Sequence, residues 1–162
     1  MSAYIHETVE ALKNSCQTDN VFDIARDLGV FVSRRELGGL KGFYAIINNE
    51  RHIVINPALA EPEQRAVCAH ELGHDQLHRR FVRASAFREF TFFDLSRQPE
   101  FQANLFAAEL LISDEVMLEE IRRWSLPELN MMLELPPGVA ELKFRSLKNR
   151  GLCAETFLIS DI

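Results

Sequence analysis

The thirteen residues Ala66-Val-Cys-Ala-His-Glu-Leu-Gly-His-Asp-Gln-Leu-His78 set His70, His74 and His78 four apart, with Glu71 beside the first. Four residues is close to one helical turn, so this stretch constrains the fold more than any other. A helix here carries a stripe of imidazoles that the rest of the chain must be built around. At about 100° per residue, His70 and His74 project only about 40° apart, and two ring nitrogens can converge on one ion. Glu71 falls at the edge of that face, placed to touch a metal-activated water without binding the ion, as a hydrolytic general base must be. The competing reading is a helix with a few solvated histidines, a pattern that composition alone rarely produces in this form.

A catalytic zinc takes three protein ligands and keeps a fourth position open. His78 continues the spacing but has turned about 80° from His70, and reads as a polar helix end or as a contact behind a ligand. Cys68 lies on the far face and reads as a small core residue. Glu100 is the stronger third candidate. It opens Pro99-Glu-Phe-Gln-Ala-Asn-Leu-Phe-Ala-Ala-Glu-Leu-Leu-Ile112, a helix apolar on most faces and therefore central to the core, and a carboxylate in that first turn needs a partner. Asn104, one turn on, reads equally as an amide that orients a ligand and as a buried capping amide. Glu109, on the opposite side of the helix, is expected to face solvent or an arginine.

Around these two helices the pattern is mixed. Apolar residues at helical intervals run from about 3 to 14, and a short helix over Asn20–Gly29 is stopped by its glycine. Val30–Val32 reads as a strand, and 43–47 with 52–56 as a hairpin around Asn48-Asn49-Glu50. Pro62, flanked by Glu61 and Glu63, suits the start of a helix that should run through His78. The stretch 87–95, Phe-Arg-Glu-Phe-Thr-Phe-Phe-Asp-Leu, reads as a strand or buried loop. Ser113 is an N-cap for a helix to about Trp124, Ser125-Leu-Pro-Glu128 has capping-box spacing, and a last helix stops near Gly151. The expected class is α+β: a small antiparallel or mixed sheet in the N-terminal half, packed on a helical C-terminal part, with the histidine helix between them. At 162 residues the chain has the length of a single domain, 1–162.

Charge narrows the partners. With 18 basic and 24 acidic residues the net charge is −6, which disfavours direct nucleic-acid binding. The basic runs at 79–83, 122–123 and 143–150 read as solvated helix faces. No window reaches the roughly 18 apolar residues of a membrane span, and the start carries polar residues where a secretion signal needs an apolar run. Three cysteines, odd in number and without CxxC spacing, fit reduced thiols. The expected compartment is the cytoplasm, with no membrane partner.

Three stretches, Leu40–Leu59, Ala69–His78 and Glu100–Ile112, resemble in order and spacing the ImmA/IrrE family of zinc metallopeptidases, over about residues 40–112. The first and third make the resemblance more specific than a bare HExxH. It implies one zinc per chain on His70, His74 and Glu100, with Glu71 as general base. It also implies a helix-turn-helix (XRE-type) repressor as the protein substrate, cut to relieve repression in the manner of antirepressors of mobile genetic elements. Ser113 stands where relatives often end this helix with proline.

The expected activity is therefore hydrolysis of a peptide bond, in which Glu71 takes the proton of the attacking water and passes it to the leaving amine. Tyr44 and His78 are the candidates for stabilising the oxyanion. The substrate is expected to lie as an added strand along the hairpin edge, against His52, Ile53, Val54 and Ile55. The alternative is a non-catalytic, zinc-stabilised regulatory or toxin-like partner that grips a repressor; a Glu71 that binds no metal argues against it, because a purely structural site has no need of one. Hydrolysis of a non-peptide substrate is a weaker third reading.

Overall fold

The computed structural model describes residues 1–85 and 97–153; the stretch 87–95, read above as strand or buried loop, lies outside them. The protein is α+β. Helices α1 (Ser2–Cys16) and α2 (Val21–Asp27) lead into strand β1 (Val30–Arg34), followed by the hairpin β2 (Gly42–Ile47) and β3 (Glu50–Ile55). Helix α3 (Glu61–Ser85) carries the histidines and α4 (Arg97–Leu111) carries Glu100. Helices α5 (Asp114–Glu120), α6 (Leu126–Met132) and α7 (Val139–Asn149) complete the described residues.

Local chemistry accounts for most of these boundaries. Asn20 caps α2 by accepting the Phe22 and Asp23 N–H groups, and Gly29 at φ 70° ends it. Asn48 and Asn49 both take positive φ, 52° and 66°, the combination that a two-residue hairpin turn requires. Ser113 accepts the Val116 N–H at 3.2 Å, and Ser125 and Glu128 form a reciprocal capping box. Helix α3 overruns its expected end at His78 by seven residues, to Ser85, and α5 stops at Glu120, short of Trp124.

The sheet is ordered β1-β3-β2, with β3 parallel to β1 and antiparallel to β2. Ile53 and Ile55 of β3 are fully buried in one core with Ile5, Val9, Ile24, Cys68, Leu72, Leu105 and Phe106. A second cluster, built on Ile112, Met117, Leu129 and Leu147, holds α5, α6 and α7 together. Helix α4 joins the two, with Leu105 and Phe106 in the first and Ile112, just past its end, in the second.

Two glycines set the spacing around α3. A Cβ on Gly73 would meet the Ala103 Cα at 3.0 Å and the Ala103 carbonyl at 3.1 Å, so α3 and α4 cross almost backbone to backbone between His70 and His74. A Cβ on Gly42 would lie 2.5 Å from Val67 Cγ1 and 2.9 Å from the Val54 carbonyl, so β2 starts hard against α3. Any side chain at either position would push a neighbouring element away from the histidine face.

Candidate metal centre

The close crossing at Gly73 brings the first turn of α4 over the histidines of α3. His70 Nε2 lies 3.1 Å from His74 Nε2 and 3.3 Å from Glu100 Oε2. His74 Nε2 lies 3.3 Å from Glu100 Oε1. Donor atoms about 2.0–2.1 Å from a tetrahedral zinc stand roughly 3.3 Å from one another, so this triangle fits such an ion. Burial lowers the pKa of His70, against the pull of Glu100. Burial, then the neighbouring His70 and His78, lowers that of His74 to about 3. Both rings are thus neutral at pH 7, the form that offers a lone pair to a metal. Asn104 Oδ1 sits 2.8 Å from His70 Nδ1, so the amide oxygen accepts the ring N–H and turns the lone pair of Nε2 into the triangle.

Glu100 differs from its sequence reading in one respect. Its helix is buried, but its own side chain is 50% exposed, because the first turn of α4 projects past the core before the apolar run begins. The carboxylate reaches back across the opening instead of emerging from below.

Glu71 follows His70 on α3. Burial, then the charge of Glu100, pushes its carboxyl up to about 8, while the Tyr44 backbone N–H pulls the other way. A carboxyl in that range takes up and releases a proton near neutral pH. Beside it opens a cavity of about 540 Å³, walled by Val67, Ala107, Leu111, Val139 and Leu142 and reaching both His70 and Glu71.

Tyr44 and His78, the oxyanion candidates, each face a partner within the protein. The Tyr44 hydroxyl donates to Asp75 Oδ1 at 2.7 Å, and burial raises its pKa further. His78 is buried, its Nδ1 3.1 Å from His74 Nδ1 and its Nε2 2.9 Å from Gln102 Oε1, so it stands behind a candidate ligand. The strand reading also needs correction. His52, Ile53, Val54 and Ile55 lie on β3, the central strand, whose backbone is paired on both sides. Among the described strands the hairpin's outer edge is β2, whose Tyr44 backbone N–H meets Glu71.

Asp75, Arg51 and Gln102 were not singled out from the sequence. Asp75 is fully buried, accepting from Tyr44, from Arg51 Nη1 at 2.9 Å and from Arg79 Nη2 at 2.9 Å. Arg51 also donates to the Leu28 carbonyl. This network pins β2, β3 and the end of α2 to α3 one residue after His74. The signal was present: Asp75 continues the Cys68, Leu72 face of α3, where a charge needs partners. Gln102 carries no comparable local sign.

The family model of Peptidase M78, the IrrE N-terminal-like domain, matches residues 25–127, from α2 through the start of α6. The chain is 34% identical over 148 residues to the uncharacterised immunity region protein 2 of Bacillus phage phi105, covering 90% of this chain and 92% of that one. It is 27% identical over 149 residues to metallopeptidase ImmA of Bacillus subtilis, covering 88% and 85%.

Proposed function

The chain belongs to the Peptidase M78 family of IrrE N-terminal-like domains, a metallopeptidase family, and we propose that it is a zinc-dependent endopeptidase that cuts a helix-turn-helix repressor. The observation that carries this reading is the triangle of His70, His74 and Glu100, with edges of 3.1 to 3.3 Å and the carboxyl of Glu71 next in sequence to its first member. His70, His74 and Glu100 would hold the ion, and a zinc bound there would supply polarisation of the scissile carbonyl and activation of water.

This chain's own residues do the rest. Glu71 takes the proton of the attacking water and delivers it to the leaving amine. The substrate backbone pairs with the edge of β2 that no described strand covers, which runs it past Glu71. An apolar side chain next to the scissile bond enters the 540 Å³ cavity between Val67, Ala107 and Leu142. The repressor substrate rests on the family resemblance and on the phage immunity-region relative. Three free cysteines, and the lack of any described helix long and apolar enough to cross a membrane, accord with action in the cytoplasm.

The test is incubation of zinc-loaded protein with helix-turn-helix repressors from the same genome, using wild type and Glu71→Gln. Wild type should cut one of these at one position. Glu71→Gln should keep its zinc and its melting temperature while turnover falls by about 10²-fold or more. Relief of repression by both proteins with the repressor left intact would replace this reading with that of a zinc-stabilised binding partner.

A further inference from the structure

The two histidines that meet at the site are held from behind by different means. For His70 one amide suffices, with Asn104 Oδ1 at 2.8 Å from Nδ1. Behind His74 stands another histidine, and behind that a glutamine: His74 Nδ1 faces His78 Nδ1 at 3.1 Å, and His78 Nε2 faces Gln102 Oε1 at 2.9 Å. The far atom of the same amide, Gln102 Nε2, lies 3.5 Å from Met1 Sδ.

That last contact fixes the direction of the chain. A thioether sulfur accepts hydrogen bonds and cannot donate them, so the Gln102 NH2 faces Met1 and its carbonyl faces His78. A carbonyl only accepts, so His78 carries its proton on Nε2 and presents a lone pair at Nδ1. Two facing ring nitrogens form a hydrogen bond only when one of them is protonated, so His74 supplies the proton from its own Nδ1. Its Nε2 is then a bare lone pair aimed at His70 and Glu100.

We infer that Gln102, acting through His78, sets the tautomer of His74 and is a positioning residue for the metal. In this arrangement α4 supplies one ligand, Glu100, and both amides that orient the histidines of α3. The inference rests on the metal reading of the site, and the flipped chain makes it sharp. With the amide reversed, His78 would donate from Nδ1, and His74 would carry its proton on Nε2, where a metal must bind.

The experiment uses histidine ¹⁵N-labelled, metal-free protein at pH 8, with long-range ¹H–¹⁵N spectra to read tautomers and zinc affinity from competition with a chromophoric chelator. Wild type should show His74 protonated at Nδ1 and His78 at Nε2. Gln102→Met, similar in size but lacking the carbonyl, should release the His74 tautomer and weaken zinc by about 10-fold or more. Gln102→Glu keeps an acceptor and should bind zinc no more weakly than wild type. A wild-type spectrum with His74 protonated at Nε2 overturns the inference whether or not the variants fold. Zinc bound equally tightly by wild type and Gln102→Met, with unchanged tautomers, overturns it while leaving the metal site standing. Wild type that binds no zinc removes the metal reading and this inference together.

Discussion

Helix α4 carries two carboxylates that each meet histidine, and its two ends treat them in opposite ways. At the first turn, half-exposed Glu100 faces the Nε2 atoms of His70 and His74, and among the described residues no lysine or arginine pairs with it. Nine residues on, Glu109 is buried and does not face solvent, and the arginine expected as its other neighbour is present, with Arg150 Nη2 3.8 Å away. Lys143 Nζ donates to Glu109 at 2.7 Å, and His6 Nδ1 lies 3.0 Å away. Lys143 also reaches Asp114 at 2.6 Å, and Arg150 grips Asp114 with contacts of 2.8 and 2.7 Å. By distance alone both His70/His74/Glu100 and His6/Glu109/Asp114 could gather around an ion, with their donor atoms within 4.8 Å. Charge separates them. The second cluster is already closed by an ammonium and a guanidinium, whereas the first sets a carboxylate and two neutral imidazoles around a space into which no described lysine or arginine reaches. Convergence of donor atoms alone does not single out a metal site; an ammonium or guanidinium already among them argues against one.

The largest effect should come from breaking the closed cluster. Lys143→Met leaves Glu109 and Asp114 without their shared ammonium in a buried setting, a class of change that costs about 3–5 kcal/mol. Urea unfolding of the metal-free protein measures it. A loss under about 1 kcal/mol would mean that Arg150 and His6 neutralise the cluster without Lys143.

Acid separates the two regions by pH window. Burial pushes the Asp114 carboxyl up, but hydrogen bonds from Arg150 and Lys143 outweigh it and hold the group below its usual range; burial and Lys143 oppose each other at Glu109 with the same net direction. Depressed carboxylates contribute stability above their unfolded pKa of about 4 and lose it as pH falls through the folded values. His74, lowered to about 3 by burial and its histidine neighbours, loses its contribution earlier, as pH falls from its unfolded value of about 6.5. Metal-free wild type should therefore weaken first between about pH 6.5 and 4 and then more steeply below. His74→Asn should shrink the first phase, to which the lowered His70 also contributes and which the raised Glu71 opposes, and keep the second, as followed by urea midpoints across pH.

What the sequence made legible was local. The period of α3 puts His70 and His74 on one face, Asn48-Asn49 calls for the hairpin turn, and Ser113 and Ser125 mark their helices by side-chain chemistry that needs no tertiary partner. What it hid was long-range. The β-branched run Ile53-Val-Ile55 identifies a strand but not its neighbours, and only the parallel pairing of β1 with β3 reveals that β2 is the outer strand of the hairpin among those described. The partner of Glu109 lies 34 residues away on α7, so nothing near Glu109 distinguishes a buried pair from a solvated one. The apolar run of α4 correctly implies a buried helix but says nothing of how far its first turn projects, which is why the exposure of Glu100 could not be read.

A middle-sized effect tests the open site through its support. Asn104→Leu removes the acceptor at His70 Nδ1 without touching a candidate ligand, and should weaken zinc by about 10- to 100-fold in chelator competition. Unchanged affinity would mean that Asn104 only packs.

The smallest effect is the most direct check on the comparison, because it applies one substitution at both ends of one helix. Glu100→Gln in metal-free protein removes a charge that is half exposed, meets neutral imidazoles and raises the pKa of Glu71. No resident cation loses a partner, so stability should change by less than about 0.5 kcal/mol, as for surface substitutions away from fixed networks. Glu109→Gln strips Lys143 of one of two carboxylates inside the protein and should cost clearly more. With zinc added the order reverses: the melting temperature of Glu109→Gln should rise as wild type's does, whereas Glu100→Gln should gain little because its third ligand has lost its charge. If Glu100→Gln lowers metal-free stability as much as Glu109→Gln, then Glu100 is already neutralised within the fold, and the two ends of α4 are the same kind of site.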